Sequence, residues 1–164
     1  MRLAETNNSS PQTIMEAFRL ANDMVAESRN LDDMIAAYDK VVNFCSGTVS
    51  CRMERNTKRD MLLYWAYDNI ARAYRQKGLP AAANLYYQKA LTLAHDDKQK
   101  ARVLEKMLDA AGAEDLRVAD KCRKILAIVN RLTVIYKKNS GSADLQRVIE
   151  LGEKTLALLK KAEN

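Results

Sequence analysis

Glycine and proline are scarce, with five and two residues among 164. Ala, Leu, Lys, Arg, Glu, Met and Gln dominate instead, a composition that excludes a turn-rich β protein and favours helix. No run of about 18 apolar residues occurs, so no membrane-spanning helix is expected. Histidine appears once, as His95 beside Asp96 and Asp97, where a helix end explains it. The three cysteines, Cys45, Cys51 and Cys122, have no metal-ligand spacing and suit a reducing compartment. Cys45 and Cys51 bracket SGTVS and would close a small loop disulfide only in an exported protein. GxSxG, HExxH, CxxC, P-loop and Rossmann glycine patterns are all missing. The expectation is therefore a non-catalytic chain with no cofactor and no metal. The segment MRLAETNNSSPQ lacks the apolar stretch of a secretory signal, so the expected location is the cytoplasm.

The chain has the length of one domain, and its balance of 48% hydrophobic and 29% charged residues suits a globular or repeat protein. Helical apolar periodicity divides it into a first pair over 10–45, a loop over 46–56, a central pair over 57–95, a fifth and a long sixth helix over 96–138, and a last helix over 143–162. Ser10 and Pro11 suit the first helix start, and Ile14, Phe18, Ala21 and Val25 its buried stripe. Asn56 or Thr57 suits the third start, and Gly78 the end of that helix. Asp96 and Gln99 have capping-box spacing, Gly112 is the expected stop, and the long helix is expected to begin at Glu114. Its seam is Val118, Cys122, Ile125, Val129, Leu132 and Tyr136. The last helix is expected to pack Leu145, Val148, Ile149, Leu156 and Leu159 onto that seam.

Gly78 and Gly112 lie 34 residues apart, a helical-repeat period. Within YDNIARAYRQKGLPAAANLYYQKAL, residues 67–91, Tyr67, Ile70, Ala71 and Tyr74 occupy one helix, Gly78 the turn, and Ala83, Tyr87 and Ala90 the next. Small residues let the two helices approach, and the tyrosines fill the wedge between neighbouring pairs. This segment resembles the tetratricopeptide repeat, the clear copy spanning 67–94. Residues 18–42 resemble a degenerate earlier copy through Phe18, Ala21, Asn22, Val25, Met34, Tyr38 and Val41, and 132–156 a weaker one with Val148, Gly152 and Thr155. The resemblance implies an all-α fold of about seven helices, arranged as antiparallel hairpins in a right-handed superhelix.

It also implies a concave groove lined by the first helix of each pair, where a partner peptide or helix is held. Carried onto this chain, the groove positions are Arg19, Asn22 and Asp23 in the first pair, and Trp65, Asp68, Asn69, Arg72, Arg75 and Gln76 in the central one. That polar, arginine-rich set suits carboxylate or backbone recognition. Tyr64 and Trp65 fall outside the packing pattern and read as interface candidates. The expected role is an adaptor or chaperone, with a homodimer through the long or last helix as a further option. The alternative is an RNA-binding helical repeat. Its basis is the net charge of +6 and the acid-free segment 121–138, which holds Lys121, Arg123, Lys124, Arg131, Lys137 and Lys138.

Overall fold

A computed structural model describes residues 13–27, 30–47, 57–139 and 143–163. They form seven helices and no strand: α1 Ile14–Glu27, α2 Leu31–Gly47, α3 Thr57–Gln76, α4 Pro80–Leu93, α5 Asp97–Ala113, α6 Val118–Lys138 and α7 Ala143–Glu163. Each helix packs on the next in chain order, and α1 also meets α3. The result is a stack of antiparallel helix hairpins.

Local chemistry accounts for the helix ends. Thr13 and Glu16 form a reciprocal capping box, the Glu16 amide donating to Thr13 Oγ1 at 3.2 Å and the Thr13 amide to Glu16 Oε2 at 3.3 Å. The T-I-M-E spacing was the readable signal, whereas the expected start at Ser10 and Pro11 lies outside the described residues. Asn30 Oδ1 accepts from the Asp32 amide at the head of α2. After α3 the Leu79 amide reaches back to the Tyr74 carbonyl and the Gly78 amide to the Arg75 carbonyl, closing a Schellman turn. That turn places Gly78 at φ +74°, which only glycine takes without strain. Asp96 caps α5 by accepting from the Gln99 amide at 2.7 Å, while Gln99 Oε1 accepts from the His95 amide.

Two apolar clusters meet at α3. Ala66, Ile70 and Ala73 pack against Ala17, Ala21, Met34, Tyr38 and Val41 of the first hairpin. Tyr64 and Ala71 belong to the second cluster, with Ala83, Tyr87, Leu104, Ile128 and Leu132. Because α3 is buried on two sides, the core runs continuously through it. Tyr74 stacks on Tyr86 with ring centroids 5.4 Å apart, filling the wedge between the first and central pairs.

Several expectations are corrected. Gly112 does not end α5, which continues to Ala113. The long helix begins at Val118 instead of Glu114, because the Glu114 carboxylate is drawn into the interior. It accepts from Lys124 Nζ at 2.5 and 2.7 Å and from the Asn84 amide, and these bonds hold residues 114–117 out of helix. Val118 is consequently exposed. In α7, Val148 is buried and Leu145, Ile149 and Leu159 are half-buried as expected, but Thr155 takes the inward place expected of Leu156, which is 45% exposed. Tyr64, expected at an interface, is buried in the core. The loop over 46–56 and the Cys45 to Cys51 pairing fall largely or wholly outside the described residues; Cys45 itself is buried in α2.

Candidate functional site

Stacked hairpins place alternate helices in one layer, and side chains tie that layer together. Lys106 Nζ of α5 donates to both carboxylate oxygens of Asp68 on α3, at 2.6 and 2.7 Å. Arg75 of α3 meets Asp109 of α5 at 3.5 Å, and the Arg102 guanidinium lies 5.5 Å from the Trp65 ring centroid. Farther along, Arg147 of α7 donates to Glu105 of α5 at 3.1 Å. The helices α3, α5 and α7 therefore share a face, and the α1 to α3 contact extends it to the first hairpin.

On this face the expected contact residues fall into two groups. Asp68 is only 5% exposed and committed to Lys106, so it joins helices and does not lie open. Trp65 is half-buried between Tyr64 and Arg102. Arg19, Asn22, Asp23, Arg72, Arg75 and Gln76 are exposed, and Asn69 is half-buried. Asn22 Oδ1 accepts from the Tyr38 hydroxyl at 2.8 Å, and Asn69 Oδ1 accepts from Arg72 at 2.9 Å.

The tyrosines beneath are linked to the arginines electrostatically. Burial pushes the Tyr38 hydroxyl above its ordinary pKa, and the nearby Arg72 charge works against that rise. Burial likewise raises Tyr87, with Asp68 adding to the rise and Arg75 and Arg72 opposing it. Asn22 with Tyr38 and Asn69 with Arg72 are thus two hydrogen-bonded pairs, and the Arg72 charge acts on both Tyr38 and Tyr87 beneath the face. Both asparagine oxygens are occupied from within the protein. Each amide consequently keeps N–H donors for a ligand, and Arg72 keeps those it does not spend on Asn69.

Toward the C-terminal end the face opens into two recesses that share Glu105 and Arg147. One, of about 590 Å³, is lined by Arg102, Tyr136 and Asp144; the other, of about 360 Å³, by Leu108, Asp109, Leu151 and Lys154. Tyr136 donates to Glu105 Oε1 at 2.7 Å; burial first, then this carboxylate, drive its hydroxyl pKa upward. These α5 and α7 residues were not among the expected contacts. A signal existed for part of the set: adding the 34-residue period to Asp68, Arg72 and Arg75 gives Arg102, Lys106 and Asp109, the residues that bridge to α3. No such arithmetic reaches Arg147 or Lys154, because the link between α5 and α6 breaks the period.

The basic segment does not form one surface. Lys121 donates to the Gly112 carbonyl at 3.3 Å, Lys124 is held by Glu114, and Lys138 meets Asp97 at 2.9 Å. Arg123 is paired with Asp120 at 3.2 Å and also with Glu163. Arg131 and Lys137 remain exposed without an ion pair among the described residues. Three of the six cations are therefore already ion-paired within the protein, and a fourth, Lys121, is bonded to a carbonyl.

Among the described residues no group of three His, Cys, Asp or Glu side chains is placed to hold a metal ion. No helix there is long and apolar enough to cross a membrane. No protein-family model matches the chain, and no curated protein matches it either.

Proposed function

We propose that this chain is a non-catalytic, tetratricopeptide-like interaction scaffold of the adaptor or chaperone kind, acting in the cytoplasm. A peptide segment or helix of a partner protein lies along the face of α1, α3, α5 and α7. The observation that carries this reading is the set of surface donors on Asn22, Asn69 and Arg72, with both amide oxygens already bonded within the protein. A donor-rich set selects a ligand rich in acceptors, meaning backbone carbonyls and carboxylates. Fixing the side chains beforehand also lowers the ordering cost of binding. The repeat-like spacing of Tyr67, Ile70, Ala71, Tyr74, Ala83, Tyr87 and Ala90 supports the family assignment. Burial of Ile70, Ala71, Ala83, Tyr87 and Ala90 agrees with that packing pattern.

The test compares wild-type protein with Asn69→Ala/Arg72→Glu in affinity capture from native lysate, with and without nuclease. The variant should lose at least about tenfold in partner recovery, equivalent to about 1.4 kcal/mol. Its melting temperature should stay within a few degrees, since Arg72 is exposed and Asn69 bonds only to it among the interactions seen. Equal recovery by both proteins would remove the face from the reading. Recovery that disappears with nuclease would transfer the function to Arg131, Lys137 and the rest of the basic segment.

A further inference from the structure

The two ends of the stack carry opposite charge. Helices α1 and α2 hold six acidic and two basic side chains, whereas α6 and α7 hold ten basic and five acidic ones. Near each end, among the described residues, one helix face is uncovered and amphipathic. On α1, Leu20 and Met24 are 39% and 37% exposed and lie beside Asp23 and Glu27. On α6, Val134 is 69% exposed, and its helical spacing aligns it with Ala127, Arg131 and Lys138, with Lys137 alongside. Arg131 and Val134 also line a recess of about 410 Å³ with Leu91 and Leu104.

We infer that a second copy of this chain is the occupant of both faces: α1 of one molecule packs on the exposed face of α6 of the next. Leu20 and Met24 cover Val134 and Ala127, while Asp23 and Glu27 face Arg131 and Lys137. The charges decide the pairing. A symmetric contact of α6 with α6 would set basic face against basic face, and α1 with α1 acid against acid; only the head-to-tail arrangement joins unlike charges. Such a contact is heterologous, so it extends beyond a dimer unless the geometry closes into a ring. One helix on one helix lies at the small end of interface sizes, which makes the association weak and concentration-dependent.

Sedimentation velocity on the full chain tests this at two ionic strengths. At about 0.1 M salt, where the screening length is about 10 Å, the mean sedimentation coefficient should grow with concentration past that of a dimer. At about 1 M salt, with a screening length of about 3 Å, it should return to the monomer value. The variants Asp23→Lys/Glu27→Lys and Arg131→Glu/Lys137→Glu should each be monomeric alone, having two faces of one sign. Mixed in equal amounts they should regain association, because each now offers the face the other needs. Helicity and melting temperature of each variant establish that it is folded.

A chain that stays monomeric at low salt across the concentration range overturns the proposal. So does a dimer that stops at two copies and ignores the α1 reversals, which would indicate a symmetric α6 or α7 contact. Failure of the two folded variants to associate on mixing also overturns it.

Discussion

Glu114 is the residue whose replacement should cost most for a single polar side chain. It sits in the link between α5 and α6, 4% exposed, and its carboxylate accepts from Lys124 Nζ and from the Asn84 amide. These contacts tie the last hairpin to α4. Glu114→Ala removes a charge-assisted pair and leaves the Lys124 ammonium, whose side chain is 32% exposed, without its counter-charge. It also strands the Asn84 amide, which is buried and whose Oδ1 already has no partner among the described residues. Removing one member of a buried pair costs about 3–5 kcal/mol, and a hydrogen bond to a charged group about 1.5–3 kcal/mol. Water reaches Lys124, so the lower end applies: about 3 kcal/mol, or a fall in melting temperature of roughly 6–12 °C for a chain of this size.

Thermal and urea unfolding followed by far-ultraviolet circular dichroism measure that loss. Native-state hydrogen exchange should locate it, with amides of α6 and α7 losing protection ahead of those in α1 and α2. Lys124→Met separates the charge from the packing. In a double-mutant cycle with Glu114→Gln, the coupling should be at least about 1 kcal/mol. A loss below about 1 kcal/mol for Glu114→Ala would refute the idea that this carboxylate anchors the hairpin. A coupling near zero would show that Lys124 is not its effective partner.

Alkaline pH should unfold the protein through its tyrosines. Burial raises the hydroxyls of Tyr38, Tyr64, Tyr67, Tyr86, Tyr87 and Tyr136 above the ordinary 10.0. The neutral forms thus stabilise the fold fully below pH 10, and this contribution is lost as pH rises through the higher folded values. Phenolate absorbance should rise together with loss of helicity; most of it developing near pH 10 with helicity intact would contradict the burial. The glycines should rank differently on replacement by alanine. Gly112→Ala, with nothing within 4 Å of the new Cβ, should gain up to about 1 kcal/mol of helix stability. Gly152→Ala should gain little, since its Cβ would lie 3.0 Å from Val129 Cγ1, and Gly78→Ala should lose about 1 kcal/mol at φ +74°. Thermal melts giving any other order would count against the helix boundaries or the packing of α7 on α6.

The helices were legible because their signals are local. Thr57, Gly78, Pro80 and the Asp96 to Gln99 spacing each act within one turn, and the tyrosine and alanine positions of 67–91 repeat with one helical face. The failures are long-range. Whether Glu114 starts a helix or leaves one depends on Lys124 ten residues ahead and Asn84 thirty behind. Whether Thr155 or Leu156 faces inward depends on the rotation of α7 about its axis, which places the small Gly152 and Thr155 where α7 approaches α6. Hydrophobicity favours Leu156, but close approach to Val129 leaves room only for the smaller side chains. Tyr64 was misplaced for a related reason: α3 is buried on two sides, so a residue off the repeat pattern is still interior.

The same distinction governs the binding face. Repeat position alone puts Asp68 and Arg72 on one surface with equal standing. Their partners show why they differ: Asp68 has Lys106 across the gap on α5, whereas Arg72 bonds to Asn69 on its own helix. Asp68 is therefore spent on holding successive helices together, and a partner would have to break a buried ion pair to use it. Arg72 and Asn69 offer donors at no such cost. On the proposed reading a ligand-binding residue of this scaffold is one not already spent on an ion pair to the neighbouring helix, and by that criterion Arg72, Asn69 and Asn22 would meet the partner while Asp68 and Lys106 keep the face in shape.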